Sequence, residues 1–284
     1  MNPHPTRWLI TLLAWLLLPS TPTARASSLT NIVVQDDLIE ATLQQAGLKL
    51  MATGRHVPMK TLAQQLHRKS CVLTLPTRPN PPPSSPTEML GNCRRGVLVV
   101  GSLYQCGHCD KWHVQASAGF ILTSNGAVAT CYHVANQPTH GVLVVLTGDG
   151  RVCGVREVLA ADEERDVAIL QLDGAGFHPL PLTTHAPVGS HIYVWGHPEN
   201  QYYTLTEGIV SRYFTGQKET GSAVMMNITA DFGPGSSGCP VLNDHGEVVG
   251  MADNIVAVAT SAGAKLIFKN ARPAAAILSL IRPR

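Results

Sequence analysis

Charge is scarce in this chain: of 284 residues only 14% are Asp, Glu, Lys or Arg. The basic side chains are scattered, with no block on one face, so the electrostatic footprint of a nucleic-acid binder or of a protein that adsorbs to anionic membranes is missing. Long apolar runs are missing too. Trp8 to Leu18, interrupted by Thr11, covers 11 residues, about half of the ~20 that a helix needs to cross a bilayer. No other stretch is long and apolar enough to span, and no repeat of fixed period is present.

What the N-terminus does hold is an address label. Arg7 precedes the short apolar run, and Ala24-Arg25-Ala26 puts small residues where a signal peptidase cuts, so cleavage is expected before Ser27. The expected product is soluble, secreted or periplasmic in a bacterium, with no membrane association after cleavage. Losing Arg7 and Arg25 lowers the basic count from 21 to 19, equal to the 19 acidic residues, so the product is near neutral. All seven cysteines lie beyond the cleavage point, where an oxidising compartment favours pairing of some of them, and the odd count leaves at least one over.

The remainder divides by composition. Residues 27–75 read as an N-terminal helical segment, with Asp37 and Glu40 giving a capping-box-like start, Leu38, Leu43 and Leu50 on a rough helical period, and Pro58 opening a second helix that carries Leu62 and Leu66. A packing appendage and a pro-segment able to block a cleft are both open for it. Residues 76–86, PTRPNPPPSSP, form a Pro-rich linker, because proline removes backbone donors and fixes φ.

From residue 87 onward the texture is that of short β-prone runs, at 97–100, 119–122, 127–130, 142–146, 151–158, 167–172, 191–195, 205–211, 223–228, 240–242, 247–251 and 265–268. Asn125-Gly126, Asp149-Gly150 and the Asn243–Gly246 segment supply residues that tolerate positive φ in tight turns. About a dozen strands with no helix-length insertions, in a chain holding 25 glycines and 20 prolines, indicate antiparallel barrels or a sandwich rather than a βα repeat. A final helix is expected over Pro273–Ile281, with proline in its first turn.

Three stretches carry the parts of an acyl-transfer site. Gly233-Pro234-Gly235-Ser236-Ser237-Gly238-Cys239-Pro240 is a segment of small residues whose glycines, at 235 and 238, allow the tight turn that a nucleophilic Ser237 needs for its own backbone N–H and that of Gly235 to converge on one point. Ala129-Thr130-Cys131-Tyr132-His133-Val134 ends a β-prone run in a histidine, and Arg165-Asp166-Val167-Ala168-Ile169-Leu170 opens another with an aspartate. A Gly- and Ser-rich turn alone is usually only a turn. The three stretches occur in the order His, Asp, Ser, with separations of 33 and 71 residues.

Together with Gly119-Phe120-Ile121-Leu122, Glu207-Gly208-Ile209-Val210-Ser211 and Gly246-Glu247-Val248-Val249-Gly250, these motifs resemble the trypsin-like protease domain of the HtrA/DegP type from about residue 88 to the end. The resemblance implies an all-β fold of two antiparallel six-stranded barrels and a serine endopeptidase needing no cofactor or metal and acting on proteins or peptides, in protein quality control or turnover. It also implies that Ser237 is the nucleophile, His133 the general base and then acid, Asp166 the acceptor that orients the imidazole, and Gly235 with Ser237 the oxyanion hole. Ser236 stands where Asn or Asp is usual, and Cys239, read as a buried small apolar residue, where a second Gly is usual. No PDZ-like module is expected after the protease domain of residues 87–284.

By the same alignment Ala230, Asp231 and Phe232 line the specificity pocket. Small or medium apolar residues at the scissile bond are expected from the likeness and from Phe232, whereas a buried Asp231 would favour Lys or Arg. Cys106-Gly107-His108-Cys109 repeats the letters of a redox site but leads into strand-like sequence rather than a helix. It is therefore open between a structural disulfide or hairpin clip, a metal site with His108 or His113, and redox chemistry. Cys71 and Cys93 could bracket the linker. His197 is read as a structural loop residue, in a loop placed beside the active site, and Trp195, Tyr202 and Tyr203 as core or cleft wall. The rival functions are a catalytically silent protease-like binding protein and a thiol-disulfide oxidoreductase.

Overall fold

A computed structural model describes residues 33–76, 83, 85–215, 223–261 and 263–283. The expected signal segment 1–26 and most of the expected linker lie outside the described residues.

The N-terminal segment forms α1 (Asp36–Ala52), α2 (Met59–Gln64) and the two-residue strand β1 (Cys71–Val72). Pro58 caps α2, and Leu62 and Leu66 are buried. The start of α1 differs from expectation. Gln35 is its N-cap, with no side-chain cap, and Leu38 is largely exposed while Leu43 is fully buried. The capping box occurs later, where Ser85 Oγ accepts the Glu88 N–H at 3.3 Å and Glu88 Oε2 accepts the Ser85 N–H at 3.0 Å, starting α3 (Pro86–Cys93) within the stretch read as linker.

Two closed six-stranded antiparallel barrels follow. The first holds β2 (Val97–Gln105), β3 (Trp112–Ile121), β4 (Ala127–Thr130), β5 (Val142–Thr147), β6 (Val152–Asp162) and β7 (Val167–Leu172), with the one-turn α4 (Tyr132–Ala135) between β4 and β5. The second holds β8 (His191–Gly196), β9 (Thr204–Thr215), β10 (Val224–Ile228), β11 (Pro240–Leu242), β12 (Val248–Ala259) and β13 (Lys265–Pro273). Each strand overlaps one of the runs read from the sequence, and the Asn-Gly and Asp-Gly turns close where expected, Gly126 N–H to Thr123 O at 3.0 Å and Gly150 N–H to Thr147 O at 2.8 Å.

The continuous apolar runs of β2 and β5 have a specific cause. Alternate residues Leu98, Val100, Leu143 and Val145 point into the barrel core. Val99, Leu103, Val142 and Val144 point outward onto Leu43 of α1. A strand face covered by a helix loses the polar alternation that water would impose. Full burial of one such leucine contributes about 1.5–3 kcal/mol, so α1 is docked as a packing element.

The C-terminal helix is shorter than expected. It covers Ala274–Leu278 (α5), and the chain then extends into β14 (Ile281–Arg282), which pairs in parallel with β1, Cys71 opposite Ile281. Cys71 Sγ donates to Leu280 O and Cys93 Sγ to Gly246 O, each at 3.6 Å, so these two sulfurs face different partners and do not bracket the linker.

Candidate active site

His133 enters through the end of the first barrel. The β4 strand stops at Thr130, Cys131 takes an extended conformation as the N-cap of α4, and the helical turn presents the imidazole half-exposed at the barrel mouth. Asp166 comes from the turn between β6 and β7. It sits at φ +49°, a left-handed conformation rare outside glycine and frequent at functional positions. Its neighbours hold it there: Asp166 N–H donates to Glu163 O at 3.2 Å, and Arg165 is clamped to Asp162, the guanidinium at 2.5 Å and the backbone N–H at 3.0 Å.

The two side chains meet with two bonds. Asp166 Oδ2 is 2.8 Å from His133 Nδ1, and Asp166 Oδ1 accepts the His133 backbone N–H at 3.0 Å. A carboxylate is an acceptor only, so the ring proton is on Nδ1 and the Nε2 lone pair is available as a base. Burial alone would lower the His133 pKa, but the hydrogen bond and charge of Asp166 outweigh it and raise the value above the usual 6.5. Burial opposes ionisation of Asp166 as well, yet the hydrogen bonds from His133 and Asp253 bring its pKa below the ordinary carboxylate value.

Ser237 lies between Gly235 and Gly238, both at positive φ, +92° and +94°. A Cβ on Gly238 would stand 2.2 Å from Ala118 O, and one on Gly235 2.6 Å from His197 O, so only glycine fits either place. The turn is pinned by Ser236 N–H to Gly233 O at 3.0 Å, Gly238 N–H to Ala252 O at 2.9 Å and Ala118 N–H to Ser237 O at 2.9 Å. Among the described residues the amides of Gly235 and Ser237 have no backbone acceptor. The hydrogen bond of the Ser237 hydroxyl runs to Asp253 O at 3.2 Å.

Asp253, which no motif marks, is the central residue of the site. In the β12–β13 ladder Ala252 faces Ala271 and Asn254 faces Asn270, which leaves Asp253 as the unpaired residue of a bulge. Bulges re-aim a side chain, and this one turns the carboxyl inward, 4% exposed, against Arg272 Nε at 2.7 Å. Its carboxyl also hydrogen-bonds Asp166, and ligand atoms of Cys131, His133, Asp166 and Asp253 all lie within 4.8 Å of one another. Burial, then the bond and charge of Asp166, push the Asp253 pKa up to about 7, with Arg272 and His133 opposing. Two carboxyls this close share a proton. The Cys131 thiol, fully buried and raised well above its usual pKa, stays protonated and donates to Ala252 O at 3.4 Å.

His197 is buried rather than on the cleft rim. Tyr203 N–H donates to Nδ1 at 3.1 Å, so Nε2 carries the proton and donates to Leu98 O at 3.0 Å. Burial lowers its pKa to about 4, so it is neutral. Its backbone N–H meets Ser236 Oγ at 3.3 Å, which shows how Ser236 serves the turn, and the loop is tied further by Glu199 N–H to Pro234 O at 2.7 Å and Tyr202 N–H to Asp36 Oδ1 at 3.0 Å. His197 thus connects the first barrel, the N-terminal helix and the Ser237 turn. Trp195 and Tyr202 are core residues, and Cys239 is fully buried in the second-barrel core.

Of the expected pocket residues, Ala230 and Phe232 are buried, but the Asp231 side chain is 77% exposed and paired with Lys269 at 2.6 Å. It is not a buried floor carboxylate, which removes the structural basis for a trypsin-like preference. Lys269 also donates to Phe232 O at 2.5 Å, holding that segment in place. An open cleft of about 1130 Å³ runs past His133, Asp166, Phe214, Met225, Asp253 and Arg272. Cys106 and Cys109 lie elsewhere, in the β2–β3 turn, which opens no helix and so lacks the context of a redox CxxC.

Comparison with known proteins follows the same line. Residues 117–251 match the family model of the trypsin-like peptidase domain. The putative serine protease HhoA of Synechocystis sp. is 30% identical over 154 residues, covering 51% of this chain and 38% of the relative. The serine endoprotease DegS of Escherichia coli is 28% identical over 167 residues, covering 56% and 46%. The chain thus spans under half the length of these relatives. Among solved structures, the HtrA-type protease AlgW with a decapeptide superposes with a TM-score of 0.58 at 17% identity, over 69% of this chain and 66% of that one, a likeness of fold.

Proposed function

Since the chain carries a trypsin-like peptidase domain related to those of the HtrA, DegP and DegS serine proteases, we propose that it is an exported serine endopeptidase whose triad is Ser237, His133 and Asp166. The observation that carries the reading is the two-bond contact of Asp166 with His133, at 2.8 and 3.0 Å, which holds the imidazole in the tautomer that accepts a proton at Nε2.

In the proposed cycle Ser237 Oγ leaves Asp253 O by rotation about χ1 and gives its proton to His133 Nε2 as it attacks the scissile carbonyl; resting hydroxyls of this kind often tighten onto the base only with substrate bound. The free amides of Gly235 and Ser237 receive the oxyanion, His133 returns the proton to the leaving amine, and water repeats the sequence on the acyl-enzyme. Phe214, Met225 and Val256 along the cleft favour small or medium apolar side chains. Residues 1–26 serve as a cleaved signal peptide delivering the enzyme to the periplasm or outside, where it acts in protein quality control or turnover.

Intact-mass labelling with a fluorophosphonate tests this. One adduct per chain is expected, absent in Ser237→Ala and His133→Ala. No adduct on folded wild-type protein would overturn the proposal in favour of a silent protease-like binding protein.

A further inference from the structure

The hairpin joining β2 and β3 is extended well past its last paired residues, Gln105 and Trp112, by Cys106-Gly107-His108-Cys109-Asp110-Lys111. This segment takes no part in the cleft. Gly107 turns at φ +75°, bringing the Cys106 and Cys109 sulfurs to 3.5 Å, and His113, opposite Tyr104 in the ladder, returns its Nε2 to 3.2 Å from Cys109 Sγ. All three ligand atoms lie within 4.8 Å of one another. Tyr104 packs against the His113 ring on one side, centroids 5.6 Å apart, and stacks on His140 at 5.1 Å, which restricts the ring's orientation.

We propose that Cys106, Cys109 and His113 form a zinc site that clips this hairpin, with the fourth position open to water. Tetrahedral zinc with bonds of about 2.3 Å to sulfur and 2.0–2.1 Å to nitrogen spaces its ligands roughly 3.5–3.8 Å apart, so the Cys106–Cys109 and Cys109–His113 separations need shifts of only a few tenths of an ångström, and the Cys106–His113 pair lies within 4.8 Å. Two thiolates and a neutral imidazole balance the charge of one divalent ion, and binding releases the two thiol protons to solvent. Thiolate with imidazole selects zinc over magnesium or calcium. The proposal is independent of the protease reading.

The test is titration of the fully reduced protein with zinc or cobalt. One ion per chain is expected, giving a thiolate-to-cobalt charge-transfer band with visible absorption of tetrahedral intensity, and a native mass raised by one zinc less two protons. Cys109→Ser and His113→Ala should weaken binding by ~100-fold or more, beyond the 10–100-fold cost of losing an outer-shell partner, whereas His140→Ala should leave it within that outer-shell range. Reduced protein that takes up neither ion would overturn the site, as would affinity unchanged in His113→Ala.

Discussion

Replacing Asp253 by Asn removes one of two carboxyls that share a proton while leaving an amide able to donate to Asp166. The carboxyl oxygens lie within 4.8 Å of each other. Two unit charges at that separation and an effective dielectric of ~20 repel by about 3 kcal/mol or more, which is roughly two pK units. That repulsion and the burial account for the rise of Asp253 from its ordinary 3.8 to about 7. The sign follows from linkage. Because the folded-state value is raised, the stability this group contributes is fully present below the unfolded value near 4 and is lost as pH rises through 7. The span corresponds to about 4 kcal/mol. Urea midpoints of wild type and Asp253→Asn at several pH values between 4 and 8 should therefore diverge, with wild type losing relative stability across the range by on the order of 3 kcal/mol. Parallel curves would refute the shared proton.

Gly235→Ala places a Cβ 2.6 Å from His197 O at a φ of +92°; we expect kcat on a peptide substrate to fall by ~10²–10³, the cost of one oxyanion donor, with KM little changed, and kcat within a few-fold of wild type would contradict the proposed oxyanion hole. Leu43→Ala should cost about 2–5 kcal/mol in urea unfolding, because this α1 residue is fully buried against β2 and β5; a loss below ~1 kcal/mol would show that the helix is not part of the folded unit. Asp231→Ala should change stability by no more than about 1 kcal/mol and leave cleavage preference unaltered, since its carboxylate is solvent-screened; loss of cleavage after Arg or Lys in comparative peptide assays would restore Asp231 as a specificity residue.

The strands and the motif-bearing segments were legible in the sequence because their signals are local. A β-prone run bounded by Asn-Gly or Asp-Gly keeps its identity whatever packs against it, and the Ser237 turn needs glycine at 235 and 238 for backbone reasons that short peptides already carry. His133 and Asp166 were identifiable through resemblance of their flanking residues. Their contact is a tertiary fact, made by bringing the end of β4 beside the β6–β7 turn.

Other features had no local trace. Asp253 becomes part of the site because a single-residue bulge in β12 turns it inward toward Arg272 and Asp166. Asp231, in the loop between β10 and β11, stays in water, where it pairs with Lys269 of β13. The expected terminal helix yields to β14 because β1, more than 200 residues earlier in the chain, offers a parallel partner. Sequence by itself determined which segments are strands, where they turn and which side chains are chemically able. Closure of the barrels decided which of those side chains are desolvated together, and so which share protons, because burial and charge proximity depend on contacts between residues far apart in the chain.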